Sequence, residues 1–398
     1  MHILFFEDHL LPAFYPLALT RPVAELRVGI TTIREKWEQS LGHPSAHLTR
    51  THLQALFPGP VHAGPGYLIN SRLIPTAAVV DQIRALGSKE SLHDGDILLA
   101  VRFDLMENAS SHSGKSHLVH SRPFLMQSIT DVFARNGEAL QLDFDRITAG
   151  RESRAVGEAV TILGPKNQLF LEQGAKVNGC TINTTTGPVY IGHEAEIMEG
   201  SLIRGALAVC DHAVVKMGAK IYGPTTIGPE SRIGGEISNS VIQGYSNKGH
   251  DGFLGNSVIG EWCNLGADTN TSNLKNNYSS VKTWDYAQGE YTDSGLAFCG
   301  LVMGDHSKSG INTMFNTGTT AGVAANIFGS GFPEKFIPSF SWGAPEGTTT
   351  YRLDEALVAA ERMMARRNVP LSDQMRAMLT EVYRITQEER TAATLRQS

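Results

Sequence analysis

Branched hydrophobic residues recur at every sixth position in the middle of the chain. The steps run through Ile191, Ile197, Ile203, Val209, Val215, Ile221, Ile227 and Ile233. Small residues mostly follow four positions after each step, and Gly192, Gly228 and Gly234 directly follow three of them. A six-residue repeat predicts a parallel β-helix in which each branched side chain points inward and each small residue fits a corner.

Further hexads extend this predicted solenoid over residues 160 to 330. They begin at Leu171, Val177, Ile259 and Leu265, and a last tract steps through Met303, Ser309, Phe315, Ala321 and Ile327. The register breaks between Ser238 and Ser257 and again between Asn273 and Gly300. Insertions in a solenoid leave the coil as loops on one face, which is often the binding face, so both breaks are predicted to be extruded loops.

The segments on either side of the repeat have other patterns. Short apolar runs at Ile3–Phe6, Tyr67–Ile69 and Ile97–Val101 alternate with helical patterns at Thr31–Leu41, Thr76–Leu86 and Phe124–Arg135, which predicts an α/β domain with a largely parallel sheet. Two amphipathic helices, carrying Leu353 to Met364 and Met375 to Val382, are expected to cap the coil. The predicted domains are 1–157 (α/β), 158–343 (β-helix) and 344–398 (helical cap).

Composition excludes several classes of protein. The 398 residues carry a formal charge of −6, which argues against a nucleic-acid binder, and no stretch approaches the ~18 uncharged residues of a membrane span. The four cysteines show no CxxC spacing and no disulfide pattern. We therefore expect a cytoplasmic protein with reduced cysteines and no membrane or nucleic-acid partner.

The first register break contains the best candidate for catalysis. His250 lies between Gly249 and Gly252 and close to Lys248. An imidazole with an ordinary pKa near 6.5 can take a proton from an amine or hydroxyl at neutral pH. A surface or core histidine with no catalytic role is the alternative.

The motifs around this histidine resemble a known family. They are Ile233-Gly234-Gly235-Glu236, Lys248-Gly249-His250, Leu254-Gly255-Asn256, the run from Ile259 to Thr269, and Asn273. This set resembles the acyltransferase half of the bifunctional glucosamine-1-phosphate acetyltransferase/N-acetylglucosamine-1-phosphate uridyltransferase. The arrangement of the whole chain resembles bacterial sugar nucleotidyltransferase-like proteins, also labelled glucose-1-phosphate thymidylyltransferases.

The resemblance implies a left-handed β-helix in a homotrimer, with acetyl-CoA along the coils at the subunit boundary and a sugar phosphate in the adjoining cleft. It implies that His250 is the general base and that Gly266 and Ala267 lie beside the thioester. The substrate-binding residues it implies are Lys248, Phe253, Asn264, Asn273 and Lys282, the last of them for phosphate. Three positions depart from the family: Asp268 replaces a glycine, Phe253 replaces a tyrosine, and Ser238 or Asn239 stands where a lysine is expected.

The N-terminal domain lacks the glycine-rich phosphate loop of sugar nucleotidyltransferases, because Glu7-Asp8-His9 follows the first strand. Arg21, Arg27 and Lys36 form a cationic set that could hold nucleotide phosphates. Alternatively, the two arginines pair with Glu25 and its neighbours at the surface. Asp104 is the candidate ligand for Mg²⁺, and Asn70-Ser71-Arg72 offers no acid at the other metal-side position.

The main hypothesis is an enzyme of nucleotide-sugar biosynthesis for the cell envelope. It transfers an acetyl group from acetyl-CoA to an amino-sugar phosphate, and its N-terminal domain is a sugar-1-phosphate nucleotidyltransferase that uses a nucleoside triphosphate and Mg²⁺. The alternatives are a nucleotidyltransferase only, of the glucose-1-phosphate thymidylyltransferase type, a non-catalytic nucleotide-sugar-binding protein, and a purely structural solenoid.

Overall fold

The computed structural model describes residues 1–60, 64–105, 114–344 and 347–397. The chain forms two compact units. The first unit comprises Met1–Phe14, Thr20–Leu26 and Thr31–Ser128, and the second comprises Tyr15–Leu19, Arg27–Ile30 and Ile129–Ser398.

The first unit is built on a six-stranded sheet. Its strands, in spatial order, are Ser45–Leu48, His2–Phe6, Gly66–Asn70, Ile97–Phe103, Ser91–Asp94 and Ser116–Leu118. The sheet is mixed rather than largely parallel, because Ile97–Phe103 runs antiparallel to both of its neighbours. The cause is the tight turn at Gly95-Asp96, which joins Ser91–Asp94 to Ile97–Phe103 and can only connect antiparallel strands.

Two helices predicted for this unit are confirmed, and the third begins later than predicted. Helix α1 is Ile33–Leu41, which starts at a Thr32/Glu35 capping box, and helix α2 is Ala77–Ala85. Phe124–Leu125 instead forms a short strand that pairs antiparallel with Leu73–Ile74. Both residues are buried there, and aromatic residues such as Phe124 are enriched in strands. Short 3-10 helices lie at Leu11–Phe14, Val23–Glu25 and Thr51–Leu53.

The second unit contains the predicted parallel β-helix, which has three faces. The first face consists of Leu169–Leu171, Val189–Ile191, Leu207–Val209, Thr225–Ile227, Val241–Gly244, Val258–Glu261, Val302–Met303, Thr320–Ala321 and Phe336–Ile337. The second face consists of Lys176–Val177, Glu196–Ile197, Val214–Val215, Arg232–Ile233, Asn247–Lys248, Asn264–Leu265, Lys308–Ser309, Asn326–Ile327 and Ser341–Ala344, and Gly347–Thr350 pairs antiparallel with the last of these. The third face consists of Thr161–Leu163, Thr181–Asn183, Leu202–Arg204, Lys220–Tyr222, Glu236–Ser238 and Phe253–Gly255, and the strand pair Asn270–Thr271 and Met314–Phe315 forms a separate two-stranded sheet.

The hexad prediction is confirmed in the core of the coil. All eight branched residues from Ile191 to Ile233 are buried, with at most 3% of any one exposed. Non-glycine residues with positive φ mark the corner between the first and second faces in successive coils. They are Glu194, His212, Glu230, Tyr245, Trp262, His306 and Ala324.

The prediction of an extruded loop between Ser238 and Ser257 is wrong. Ile227 pairs with Ile242, fifteen residues further on instead of eighteen, and the chain continues through all three faces. A coil shortened by three residues changes the phase of the hexads just as an insertion does. The second break is a true insertion, because Val258 pairs with Val302. Within it, Lys282–Asp285 and Glu290–Asp293 form a hairpin.

Among its described residues, the second unit also contains five helices. They are α3 (Asp131–Ala134), α4 (Asn136–Thr148), α5 (Leu353–Ala365), α6 (Asp373–Ile385) and α7 (Gln387–Gln397), with 3-10 turns at Leu17–Leu19 and Lys166–Gln168. Leu140 and Phe144 of α4 pack on Phe170 and Tyr190 of the coil. The two C-terminal helices predicted from the sequence correspond to α5 and α6, and α7 was not predicted. None of the helices in the described ranges is long and apolar enough to cross a membrane.

Candidate functional site

The corner that carries His250 is held from inside the β-helix. Lys248 pairs with Ile233 of the preceding coil and points into the core, with only 3% of the residue exposed. Its Nζ donates to the carbonyl oxygen of His250 at 2.6 Å and to that of Asp251 at 3.2 Å. A buried ammonium needs such partners, because burial without hydrogen bonds costs several kcal/mol.

The pKa of Lys248 is lowered to about 8. Burial is the main cause, and the carboxylates of Asp251 and Asp268 act in the opposite direction. The lysine is therefore close to losing its charge near neutral pH.

Neighbouring coils fix the rest of this corner. The amide of Asp268 donates to the carbonyl oxygen of Asp251 at 3.1 Å, and the amide of Glu236 donates to that of Gly252 at 3.2 Å. Gly252 has φ +114°, and a Cβ there would lie 2.3 Å from the carbonyl oxygen of Thr269, so only glycine fits. His250 itself is exposed. The arrangement presents an accessible imidazole on a rigid backbone.

Asn264 and Asn273 lie on different parts of the coil. Asn264 is on the second face and accepts a hydrogen bond from Asn247 Nδ2 at 3.1 Å. Asn273 donates to Asn256 Oδ1 at 2.8 Å, next to the third-face strand that begins with Phe253. Each side chain is hydrogen-bonded to an asparagine one coil away, which is a structural role for the amide. Both residues remain partly exposed.

Gly266 and Ala267 continue the wall of the coil. The Gly266 amide donates to the carbonyl oxygen of Ser309 at 3.1 Å, and a Cβ on Gly266 would lie 2.5 Å from Gly310. The carbonyl oxygen of Ala267 accepts from the amide of Asn312 at 2.9 Å. Asp268, which departs from the family pattern, is exposed and accepts a hydrogen bond from Asn270 Nδ2 at 3.2 Å.

Lys282 lies in the hairpin of the insertion and is exposed. Its carbonyl oxygen accepts a hydrogen bond from Lys335 Nζ at 2.8 Å. The pKa of Lys335 is lowered, mainly by burial and then by the charge of Lys275, with a smaller contribution from Lys282. Three lysines therefore lie near one another. The sequence analysis named only Lys282, although Lys275 lies in the same insertion, and Lys335 lies in a segment far along the chain.

In the first unit, the place of the missing glycine-rich loop is taken by an ion pair. Arg72 is buried, and its Nη2 lies 2.6 Å from Asp8 Oδ2. Asn70 Nδ2 donates to the same oxygen at 2.9 Å. Burial alone would raise the pKa of Asp8, but the hydrogen bonds from Arg72 and Asn70 bring it below its usual value. Asp8 is therefore a charged carboxylate at the end of the first strand.

The predicted cationic set is distributed over both units. Arg21 and Lys36 are largely buried in the first unit, where Lys36 Nζ donates to the carbonyl oxygen of Thr31 at 2.9 Å. Arg27 belongs to the second unit and donates through Nη1 to the carbonyl oxygen of Ile30. Glu25, which the surface alternative paired with the two arginines, binds Arg34 at 2.7 Å.

Asp104, the candidate Mg²⁺ ligand, is exposed and accepts a hydrogen bond from Ser88. In the part of the chain that the structure describes, no group of three or more His, Cys, Asp or Glu side chains is arranged to hold a metal ion. A metal bound at Asp104 would need oxygen ligands from the phosphates of a nucleotide, which is the usual way that Mg²⁺ is held.

A cavity lies on the outer second face, where Asn264 is the only site residue that the sequence analysis predicted. It has a volume of about 390 Å³ and lies between the coil and α5. Its lining includes Arg232, Tyr245, Trp262, Lys308 and three arginines of α5 and the residues just after it. These residues are far apart in the sequence, so no local motif indicated the cavity.

Comparison with known proteins found one matching family model and several relatives that align over part of the chain. Residues 3–152 match the family model described as "Sugar nucleotidyl transferase". A bifunctional sugar-1-phosphate nucleotidylyltransferase/acetyltransferase from Sulfurisphaera tokodaii is 30% identical over 144 residues, which are 36% of this chain and 35% of that protein. The bifunctional protein GlmU of Methanocaldococcus jannaschii is 30% identical over 122 residues, 31% of this chain and 28% of that protein.

The aligned part thus spans about a third of the length of these curated relatives. Among solved structures, UDP-N-acetylglucosamine acyltransferase from Campylobacter jejuni aligns with a TM-score of 0.28 and 16% identity, covering 60% of this chain and 84% of that chain. The resemblance inferred from the motifs is confirmed by the curated relatives. Residues 3–152 therefore resemble sugar nucleotidyl transferases, and the curated relative from Sulfurisphaera tokodaii is named for both nucleotidyl and acetyl transfer.

Proposed function

We propose that the β-helix transfers an acyl group from acetyl-CoA to the amine of an amino-sugar phosphate, with His250 as the general base. The observation that carries this proposal is the exposed imidazole on a corner whose backbone is held by Lys248. The curated relative named as a bifunctional nucleotidylyltransferase/acetyltransferase supports it.

The reaction needs a base and a rigid surface that aligns the two reactants. The amine nitrogen attacks the thioester carbonyl carbon, the carbon–sulfur bond breaks, and His250 takes the proton that the new amide must lose. The departing CoA thiolate then takes up a proton. The rigid coil supplies alignment of the two reactants, which can contribute several kcal/mol to lowering the barrier.

A group of lysines in the second unit supports a phosphorylated acceptor. Lys275, Lys282 and Lys335 lie near one another in the second unit and would attract a sugar phosphate. Asn264, Asn273 and Phe253 remain our proposed contacts for the sugar or the acyl group. Gly266 and Ala267 remain our proposed wall beside the thioester, with the coil fixing their backbone.

The test is acyl transfer from acetyl-CoA to glucosamine-1-phosphate and related amino-sugar phosphates, measured by release of free thiol. His250→Ala is expected to lower kcat by at least about a hundredfold, which is the usual contribution of a general base. His193→Ala is the matched control, since His193 is a half-exposed histidine that follows a glycine on another corner of the coil. Equal turnover by His250→Ala and wild type would remove His250 from the reaction.

We propose in addition that the first unit binds a nucleotide or nucleotide sugar in the cytoplasm. The family match over residues 3–152 favours nucleotidyl transfer with Mg²⁺, whereas the Asp8–Arg72 pair in place of a phosphate loop favours binding without turnover. Release of pyrophosphate from UTP or dTTP with sugar-1-phosphates and Mg²⁺ distinguishes the two. The Arg21, Lys36 and Asp104 assignments remain proposals that Ala variants in this assay test.

A homotrimer is proposed for the assembly. Its support is the outer third face, where Leu163, Leu202 and Tyr222 are 47%, 55% and 38% exposed around a groove of about 650 Å³. Apolar side chains of this size on one face are typical of a surface that another subunit covers.

A further inference from the structure

The cavity under α5 concentrates positive charge from two separate parts of the chain. Arg232 projects outward from the second face of the coil, and Lys308 lies on the same face farther along. Arg362, Arg366 and Arg367 come from the last turn of α5 and the residues after it. The helix dipole accounts for cations at the C-terminus of α5. It does not account for the basic residues on the facing surface of the coil.

These charges are only partly balanced by the protein. In the part of the chain described by the structure, none of the four arginines forms an ion pair, whereas nearby Arg376 binds Glu361 at 2.9 Å. The pKa of Arg367 is lowered by burial and then by the charges of Arg232 and Arg366, and Glu230 offsets this only in part. Like charges gathered in one cavity repel, so an anion bound there would be stabilised.

The wall next to these charges is aromatic. Tyr245 stacks on Trp262 with ring centroids 4.3 Å apart and an angle of 18°, and Trp262 continues the column towards His306. Tyr245 is only partly buried and forms the accessible end of this column in the cavity. A planar heterocycle can stack on such a ring, and the side-chain oxygen of Asn247 in the same lining can accept a hydrogen bond from its edge or from a ribose.

We infer that this cavity binds a nucleoside diphosphate group, with the phosphates on the arginines and the base against Tyr245. Four arginines and a lysine suit two or more phosphates, and the volume of about 390 Å³ lies in the usual range for small-molecule sites. Glu230 and Glu261 lie close enough to Tyr245 to raise its pKa, after the larger effect of burial. Negative charge beside the ring suits an uncharged base there better than a phosphate.

Two ligands carry this chemistry: the 3′-phosphorylated ADP end of CoA, and a nucleotide or nucleotide sugar. The inference does not depend on the proposed transfer reaction, because the cavity and His250 are tested by different measurements. Binding of CoA, ADP, UDP and dTDP to the full chain by titration calorimetry separates the two sources. A preference for CoA assigns the site to the acyl donor, and a preference for UDP or dTDP assigns it to the nucleotide.

Variants on both walls test the geometry. Arg232→Ala and Arg367→Ala are each expected to weaken binding about tenfold or more, which is the usual effect of losing a charge-assisted hydrogen bond. Arg384→Ala is the matched control, because this arginine is exposed on α6 and pairs with Glu381 of its own helix. Trp262→Phe is expected to remove the change in tryptophan fluorescence on binding while the calorimetric signal remains.

Three results would overturn the inference. They are no binding of any of the four ligands, equal affinity in Arg232→Ala, Arg367→Ala and wild type, and pyrophosphate binding as tightly as ADP. The last result would leave an anion site with no place for a base. Loss of acyl transfer in His250→Ala with unchanged ligand binding would leave the inference intact.

Discussion

Lys248 and Ile233 are register partners on the second face of the β-helix, so an ammonium occupies the inward position that a branched hydrocarbon fills one coil earlier. The lysine is retained there by two carbonyl oxygens of the corner that carries His250. A side chain that is costly to bury thereby holds the backbone of the proposed general base.

Replacing Lys248 by methionine is expected to change both stability and activity. The unfolded lysine has an ordinary pKa, whereas in the fold its pKa is lowered to about 8. Between pH 8 and about 10.5 the unfolded state of the wild type binds more protons than the folded state, so its free energy of unfolding rises with pH. Methionine has no charge to lose, so the free energy of unfolding of Lys248→Met minus that of wild type should fall across this window, by on the order of 2 kcal/mol.

Chemical denaturation at several pH values measures this difference. Lys176→Met is the control, because Lys176 is exposed on the same face, and its curve should parallel the wild type. Acyl transfer by Lys248→Met should fall without a large change in KM if the lysine positions His250. A pH-independent difference between Lys248→Met and wild type would contradict the buried charge.

Gly252→Ala is expected to destabilise the coil more than an alanine at another glycine with positive φ. Gly252 has φ +114° and a Cβ would collide with the carbonyl oxygen of Thr269. Loss of about 2–3 kcal/mol is expected from backbone strain and displacement of the neighbouring coil. Gly218→Ala, with φ +72° and open space around the Cβ, should cost only about 1–2 kcal/mol. Equal losses in urea denaturation would show that the close approach at Thr269 does not matter.

Leu202→Glu is expected to dissociate the proposed trimer. Leu202 is 55% exposed on the third face, and a carboxylate there would be buried without a partner in an interface. Light scattering after size exclusion should give the mass of one chain for Leu202→Glu and of three for wild type. Met217→Glu is the control, since Met217 is 69% exposed on a corner of the same coil region. A wild-type chain that is monomeric at micromolar concentration would contradict the assembly.

The sequence predicted the β-helix well because its core repeats locally. Residues such as Ile221 need only their hexad neighbours to specify an inward position. The same stepping failed after Ile233, because six-residue steps arrive at Asn239, Tyr245 and Asp251, while the shortened coil places Lys248 in the core. A deletion in a solenoid keeps the strand pairing between coils but changes the number of residues between hexads. From the sequence pattern alone, such a change looks the same as an inserted loop.

Contacts between distant segments could not be predicted from the sequence, because no local pattern indicates them. Arg232 and Arg367 lie at one cavity only because α5 packs along the outer second face. No local pattern specifies where an amphipathic helix docks. The glycine-poor start of the first unit was visible in the sequence, but the ion pair between Asp8 and Arg72 depends on two strands that meet in the sheet.

The last helix provides a separate test of buried charge. Burial raises the pKa of Glu389 to about 7, opposed by the charge of Arg390, and its Oε2 is buried with no hydrogen-bond partner among the described residues. The carboxylate lies close enough to Tyr286 to raise the pKa of that phenol, in which burial is the larger effect. An uncompensated carboxylate in this position favours the protonated form.

The pH dependence follows from the direction of that shift. Between pH 4.5 and 7 the folded state binds a proton at Glu389 that the unfolded state has lost, so the free energy of unfolding falls as pH rises. Glu389→Gln keeps the shape of the side chain without its charge, so it should match the wild type near pH 4.5 and exceed its stability above pH 7. The expected difference is on the order of 2 kcal/mol. Glu388→Gln removes the exposed neighbouring carboxylate and should retain the wild-type pH dependence in thermal unfolding. A constant offset between Glu389→Gln and wild type from pH 4.5 to 8 would show that Glu389 is charged throughout in the folded protein.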